Sequence, residues 1–496
     1  MALETELKLA IAAKDVPALL VHPLLAAEPS QQQRLVSTYY DTPQRALLGR
    51  RVAVRQRRVG RQTLLTVKTA GTVIGGLALR GEWEAPTPPG RFDFVALVDD
   101  TALAAELQAL ASALVPVFTT DFTRRCWQLA HRGALIEVAL DRGHITSVAP
   151  GGPRGVPLLE LELELKEGPP DALFSLARKL AKAARLHPVA ASKAERGYRL
   201  FQGRRVKPVK ADPVALQPAQ HPVDAFRTVA LACLTHLQAN EAGVLTGDDI
   251  EFLHQARVAI RRLRAALRVF APVLPRKFVT RWSSAWQALA QSLGDARDHD
   301  VFRTTLLPGL AALLGPRDAV RLQAWARREG ATATTFARNS LASRDYSEHL
   351  LAFTRELLSL ELYEPTSPAY RLTPWASKRL RQRHRKLLQQ IRKADLFDPL
   401  ERHQVRIEAK KLRYALDFLA SLWSPEQMAP CSEALAQAQD LLGAMNDLVT
   451  AQRLLSTAPK AGADRLQAVL GARLVESAAH LPAMLKALKQ APVPWK

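Results

Sequence analysis

At 496 residues the chain exceeds what one ordinary hydrophobic core serves, so two or more domains are expected. With 48% hydrophobic and 23% charged residues it reads as globular, and no run approaches the roughly 20 apolar residues that a membrane span needs. A formal net charge of +22 points to polyanionic partners, because a charge of this size bears on association rather than on fold.

The amino terminus carries Glu4 and Glu6 and no basic-then-apolar segment, so no secretory leader is expected. Cys126, Cys233 and Cys431 are scattered and odd in number. They fit buried thiols in a reducing compartment better than a disulfide framework or a zinc site, and a cytoplasmic protein is expected. From residue 1 to about 203 the pattern has strand character. Short alternating runs recur at Leu3–Leu9, Arg51–Arg57, Leu64–Lys68, Leu79–Glu84, Ala134–Leu140 and Leu158–Lys166. Helical patches interrupt them at Thr101–Leu114 and Asp171–Ala184.

Residues two apart on a strand share a face. Glu4, Glu6 and Lys8 therefore point one way and Leu3, Leu7 and Leu9 the other. Glu160, Glu162, Glu164 and Lys166 form a second charged face, backed by Leu159, Leu161, Leu163 and Leu165. Arg55 with Arg57, Thr66 with Lys68, and Arg80 with Glu82 and Glu84 repeat the arrangement. Each could be the solvated face of an open sheet. Three glutamates on one face with no interleaved base repel, however, unless a cation sits among them. A sheet closed with these faces inward would make a polar tunnel, with carboxylates for hard divalent ions and bases for phosphate oxygens.

Glu4-Thr5-Glu6-Leu7-Lys8 resembles the ExExK signature of the CYTH, or triphosphate tunnel metalloenzyme, superfamily. The resemblance continues in the family's order. It runs through Tyr40-Asp41-Thr42, Arg55, Arg57, Thr66-Val67-Lys68, Arg80 to Glu84, Glu137 with Asp141-Arg142-Gly143, Glu160 to Lys166, and Ser192-Lys193 to Tyr198. It implies an eight-stranded antiparallel β tunnel that binds a triphosphate with Mg²⁺ or Mn²⁺. Carried over residue by residue, it makes Glu4, Glu6, Glu160, Glu162 and Glu164 metal ligands. Lys8, Arg55, Arg57, Lys68, Arg80, Arg124, Lys193 and Arg196 would grip substrate phosphates, and Glu4, Glu6, Lys8 and Lys193 would be the catalytic set. No single general base stands out among the carboxylates. Glu82, Glu84 and Asp141 are open to either a functional or a salt-bridge role.

Residues 204–221 hold Arg204, Arg205 and the prolines Pro208, Pro213 and Pro218, with Pro222 directly after, and read as a linker. Beyond them, over 222–492, come long Ala/Leu/Arg/Gln segments with helical spacing. This half also holds most of the charge excess: residues 1–203 carry 26 basic and 20 acidic side chains, the remainder 43 and 27. It contains an internal repeat. His254, Arg257, Arg261, Arg262 and Arg264 recur as His403, Arg406, Lys410, Lys411 and Arg413, and Leu293-Gly294 recurs at the same offset as Leu442-Gly443. In each copy the basic residues fall on one helix face, where they repel one another unless a chain of phosphates runs along them. Lys378 to Lys386 add another basic helix.

This half resembles the CHAD domain. The resemblance implies an all-α domain of two pseudo-symmetric four-helix bundles, about 222–370 and 371–492, whose basic residues bind inorganic polyphosphate. The second copy has Lys410 and Lys411 where the first has arginines, so the half-sites would differ in strength. The expectation is an inorganic triphosphatase with a polyphosphate-binding domain, held at polyphosphate granules if that polymer is its anchor. The alternatives are a non-catalytic polyphosphate-binding scaffold and a tunnel enzyme acting on a nucleotide or on thiamine triphosphate. No GxxxxGK[ST] loop, zinc finger or aromatic-rich basic segment argues for a specific nucleic-acid partner.

Overall fold

The computed structural model describes residues 2–69, 71–74, 76–149, 152–203, 205–360, 371–460 and 462–495. Two compact units form, one of Met1–Lys207 with Ser343–Ser359, the other of Pro208–Ala342 with Leu360–Lys496.

The first unit is built on ten strands: β1 (Ala2–Ile11), β2 (Ser30–Asp41), β3 (Ala53–Val59), β4 (Gln62–Lys68), β5 (Thr72–Ile74), β6 (Leu77–Pro86), β7 (Val115–His131), β8 (Ala134–Ala149), β9 (Gly152–Glu167) and β10 (Leu186–Pro188). Eight of them run antiparallel in the order β1-β9-β8-β7-β2-β3-β4-β6, and the ring closes where β6 pairs back with β1. Full closure leaves no edge among these strands. The short β5 and β10 pair with β6 and β1. The expected eight-stranded tunnel is therefore a closed ring.

The alternation in β1 and β9 explains the closure. Leu7, Leu9, Leu161 and Leu163 are fully buried on the outside, against Leu173, Phe174, Leu176 and Leu180 of a helix at Asp171–Leu180. Each such leucine contributes about 2 kcal/mol. The alternate residues Glu6, Lys8, Glu160 and Glu162 are also buried, which requires that their charges be paired inside the ring. A second helix, Thr101–Leu110, covers the outer side of β3, β4 and β6 through Leu107. A third, Lys193–Gln202, begins with a capping box between Ser192 and Glu195. We label these three α2, α1 and α3 respectively, in chain order.

β2 and β7 were not anticipated as strands, and β8 and β9 run well past their expected limits. Arg344–Leu358, a helix from late in the sequence, also belongs to this unit: Leu351 joins the outer core beside β1, and Arg355 pairs with Asp171.

The second unit contains two sets of four helices. The first is α4 (Pro222–Thr246), α5 (Ile250–Phe270), α6 (Arg276–Val301) and α7 (Pro316–Leu341). With α8 assigned to Arg344–Leu358, the second set is α9 (Leu372–Lys393), α10 (Pro399–Leu419), α11 (Pro425–Leu455) and α12 (Ala463–Gln490). Within each set successive helices pack, and α5 meets α10 across the duplication. The Pro-rich stretch before α4 lies along this unit. Val209 N–H donates to Asn240 Oδ1 and its carbonyl accepts from Asn240 Nδ2, both at 2.9 Å, while Leu216 N–H donates to Ser421 Oγ at 2.9 Å. Among the described residues no helix is long and apolar enough to cross a membrane.

Candidate active site and basic helical face

The inward side chains of the ring surround a cavity of about 1200 Å³. Of the residues expected to form the site, Glu4, Glu6, Lys8, Arg55, Arg57, Lys68, Arg124, Glu162, Glu164 and Lys193 line it. Glu160 and Arg196 sit behind that lining, paired with one another at 3.1 Å. The side chain of Arg80 lies outside the described residues; its backbone opposes Glu4.

The charges fall into three groups. On one wall, Lys68 bridges Glu4 and Glu82 at 2.9 Å each, and Arg55 lies 3.7 Å from both Glu82 and Glu84. Among the described residues, the hydrogen-bond partner of Arg57 is the Ser37 hydroxyl at 3.2 Å. Burial, then Arg55 and Arg124, push its guanidinium down to about 10, so its charge is the one least balanced by acids. Adjoining these, the register sets Glu6, Glu164 and Glu137 side by side on β1, β9 and β8. Burial raises the Glu164 carboxyl, and Glu4 and Glu137 raise it further, although Lys166 at 2.6 Å pulls it down.

The third group is deeper. Asp141, Glu160 and Glu162 bring carboxylate oxygens within 4.8 Å of one another, an arrangement able to hold a metal. The Lys193 ammonium stands among them, 2.7 Å from Asp141 and 2.8 Å from Glu162 and in contact with Glu160. Arg124 forms a two-pronged pair with Asp141 at 2.7 Å and reaches Glu162. Burial opposes charge on Lys193, but the three carboxylates outweigh it and hold the ammonium protonated. With Arg196 the group carries three cations and three anions, so a divalent ion would have to displace Lys193.

The Lys193 backbone is placed by α3. Gly197 lets that helix approach closely, since a Cβ there would lie 2.1 Å from the Phe118 ring. Tyr198 donates to Asp41 at 3.0 Å, and Asp41, fully buried, also accepts from the backbone of Thr42, Leu47 and Leu48. The Tyr40-Asp41-Thr42 motif thus does structural work. Glu137 and Asp141 are the residues the sequence reading left out of the ligand set. The same two-residue period that exposes Glu160–Glu164 puts both on the inner face of β8.

In the helical unit, Arg257 donates to the Gly294 carbonyl at 2.8 Å and lies 3.6 Å from Asp298. Arg261 and Arg262 stack over Tyr414 and Phe418 of α10, at 5.7 and 5.3 Å. The Nε atoms of Arg261 and Arg406 are buried with no hydrogen-bond partner among the described residues. Burial, then Arg406, Arg261 and Arg257, push the Lys410 ammonium down to about 7, so cations of both repeats share one field. Burial and Arg297 push His254 down to about 4, which leaves it a neutral imidazole at physiological pH. Arg264 and Arg413 bond to Gln287 and Gln439, Lys411 pairs with Glu408 at 2.7 Å, and His403 is exposed. On the basic helix α9, Arg379, Arg381 and Arg383 donate to backbone carbonyls of Val269, Trp495 and Arg268, which makes them clamps.

Residues 2–198 match the CYTH domain and residues 228–456 the CHAD domain. The chain is 33% identical over 207 residues to an inorganic triphosphatase of Haemophilus influenzae, a match covering 40% of this chain and 54% of that protein, so it spans about half the relative's length. It is also similar to the crystal structure of the CHAD domain from the plant Ricinus communis, with a TM-score of 0.51 and 29% identity over 58% of this chain and 98% of that one. A closed antiparallel tunnel followed by duplicated helices is what these matches describe, and the chain belongs to the proteins that join a CYTH domain to a CHAD domain.

Proposed function

We propose that the tunnel hydrolyses inorganic triphosphate to diphosphate and phosphate with a divalent cation, Mg²⁺ or Mn²⁺, and that the helical unit binds inorganic polyphosphate. The observation that carries this reading is the convergence of carboxylates and strong bases on one cavity inside a closed ring. The name of the Haemophilus relative, which matches this part of the chain, supports it.

Glu4, Glu6 and Glu164, with Glu137 beside them, offer oxygen donors of the kind hard cations take. The raised Glu164 carboxyl is the test of fit: a cation among these acids would offset both the burial and the repulsion from Glu4 and Glu137 that raise it. Such an ion supplies charge neutralisation and a more acidic water. Glu160 and Glu162 would join the ligand set only once Lys193 moves. Arg55, Arg57, Lys68 and Lys8 orient the phosphate oxygens, and Lys193, Arg124, Arg196 and Arg80 extend that grip. The water oxygen bonds to the terminal phosphorus, the P–O bond to the leaving diphosphate breaks, and a proton of the water passes to a carboxylate of the acidic wall. Most of the barrier is lowered by positioning and charge.

For the helical unit, the unpartnered Nε atoms of Arg261 and Arg406 and the crowded cations around Lys410 support a phosphate polymer as ligand. His254, Arg257, Arg262, Arg264, His403, Lys411 and Arg413 complete the proposed face. Such binding would bring the protein to cytoplasmic polyphosphate.

The deciding experiment is phosphate release from inorganic triphosphate by purified protein in Mg²⁺, Mn²⁺ or EDTA, beside ATP and thiamine triphosphate. Metal-dependent turnover greatest on inorganic triphosphate is expected. Preference for an organic triphosphate would change the substrate, and no turnover at all would reduce the tunnel to a binding module.

A further inference from the structure

Arg51 adopts a backbone conformation that glycine would take without cost. The short helix Ala46–Gly49 closes with the paired bonds of a Schellman motif: Val52 N–H donates to Leu47 O and Arg51 N–H to Leu48 O, both at 3.0 Å. The position between them is Arg51, at φ 57° in the left-handed region, where a Cβ is sterically penalised. Two other arginines share this region, Arg45 before the same helix and Arg132 in the β7–β8 hairpin turn, and neither lines the cavity. Arg51 does line it, as do Arg55 and Arg57 farther along the same stretch of chain.

Apart from Arg57, whose hydrogen-bond partner among the described residues is the Ser37 hydroxyl, the described interior cations are committed to carboxylates. Lys8 holds Glu6 at 2.9 Å, Lys68 holds Glu4 and Glu82, Arg55 faces Glu82 and Glu84, and Lys193 and Arg124 are held by the deep acids. The Arg51 guanidinium is exposed, and no acceptor or carboxylate pairs with it among the described residues. A cavity of about 1200 Å³ exceeds the roughly 300–1000 Å³ of sites that enclose drug-sized ligands, which leaves room for an anion to reach this rim.

We infer that Arg51 is a substrate-binding residue at the rim of the tunnel, placed to capture the phosphate chain and hold its outer end. The inference rests on the reading of the tunnel as a phosphate-ester or anhydride site. A left-handed arginine is retained there because its fork contributes to capture, at the expense of a more relaxed backbone. Being outside the acidic wall, it acts on association and binding and leaves the chemical step alone.

Arg51→Gly separates the two roles, because it removes the guanidinium while suiting the φ of the turn. The expected result is a KM for inorganic triphosphate raised roughly five- to ten-fold, kcat within about two-fold, and a melting temperature equal to or above that of the wild type. Arg51→Lys, which keeps the charge and loses the fork, should recover part of the affinity. Calorimetric titration with inorganic triphosphate reads the same contact without turnover. If the wild type binds triphosphate without hydrolysing it and Arg51→Gly binds more weakly, the catalytic reading fails and the Arg51 inference stands. If the wild type hydrolyses triphosphate and Arg51→Gly matches it in KM and Kd, the inference falls and the catalytic reading stands. No triphosphate binding by the wild type would overturn both.

Discussion

Burial and the guanidiniums of Arg406, Arg261 and Arg257 push the Lys410 ammonium down to about 7, with Asp447 alone among its main neighbours pulling the other way. Below that pH the ammonium is charged in free and bound protein alike, so polyanion binding exchanges no proton there. Above it, up to the ordinary lysine value of about 10.4, the free protein holds an amine that a bound phosphate chain recharges. Binding then takes up a proton, and affinity falls as pH rises through this window. Titration calorimetry with polyphosphate at pH 8, in two buffers of different ionisation enthalpy, should give an uptake of roughly one proton that disappears in Lys410→Arg. Equal heats in both buffers for the wild type would contradict this. Asp41 calls for a different measurement. It gathers three backbone N–H groups and the Tyr198 hydroxyl without reaching the cavity lining, so Asp41→Ala should cost about 3 kcal/mol of stability and leave KM almost unchanged. A variant as stable as wild type but with impaired KM would place Asp41 in the site instead. The same contrast explains what a sequence conceals at this scale. Glu4, Glu6 and Glu162 could be picked out because acids recurring on one face of a strand repel unless a cation sits among them. Lys193 could be seen as a cation near the motif, but its three carboxylate partners arrive from β8 and β9, more than 30 residues away in chain.

Elements with strong alternation were legible, and those whose inner face is neutral were not. β1 sets Glu4, Glu6 and Lys8 against Leu7 and Leu9, and β9 sets Glu160, Glu162 and Glu164 against Leu161, Leu163 and Leu165, whereas β2 and β7 turn glutamine, serine, threonine and cysteine inward and break the alternation with Arg124-Arg125. The duplicated helices α5 and α10 were visible because two separate motifs share one offset. The stretch before α4 reads as linker from its prolines, and only the partners show what it does. The fully buried Asn240 offers Val209 both a carbonyl and an amide N–H, as a neighbouring strand would, while Ser421 from the second repeat holds Leu216. The segment therefore straps the two helical repeats together. Asn240→Leu keeps the volume and removes both bonds, leaving the Val209 N–H unpaired, at a cost of about 2 kcal/mol. Urea unfolding of the helical unit should show the midpoint falling at unchanged slope. An unaltered midpoint would return the segment to the role of a passive tether.

At the scale of the whole molecule, charge is divided by task. The tunnel pairs nearly every interior cation with a carboxylate, so its site is close to neutral and depends on a few placed groups. The helical unit leaves basic residues of both repeats to repel one another, so its proposed affinity for polyphosphate would depend on summed charge. The two sites should therefore fail independently and in different ways. Glu6→Ala removes a donor from the acidic wall and should lower triphosphate turnover on the order of a hundred-fold or more, with polyphosphate affinity unchanged. Arg257→Glu with Arg406→Glu reverses one cation in each repeat and should weaken polyphosphate binding on the order of a hundred-fold at 0.1 M salt, with a shallower salt dependence and normal turnover. The salt slope gives the sharper readout, because it counts the charges engaged by the polymer, whereas a folding defect would lower the active fraction without altering the slope. If Glu6→Ala weakened polyphosphate binding as much as turnover, the polymer would be held in the tunnel, and the helical face would lose its assigned ligand.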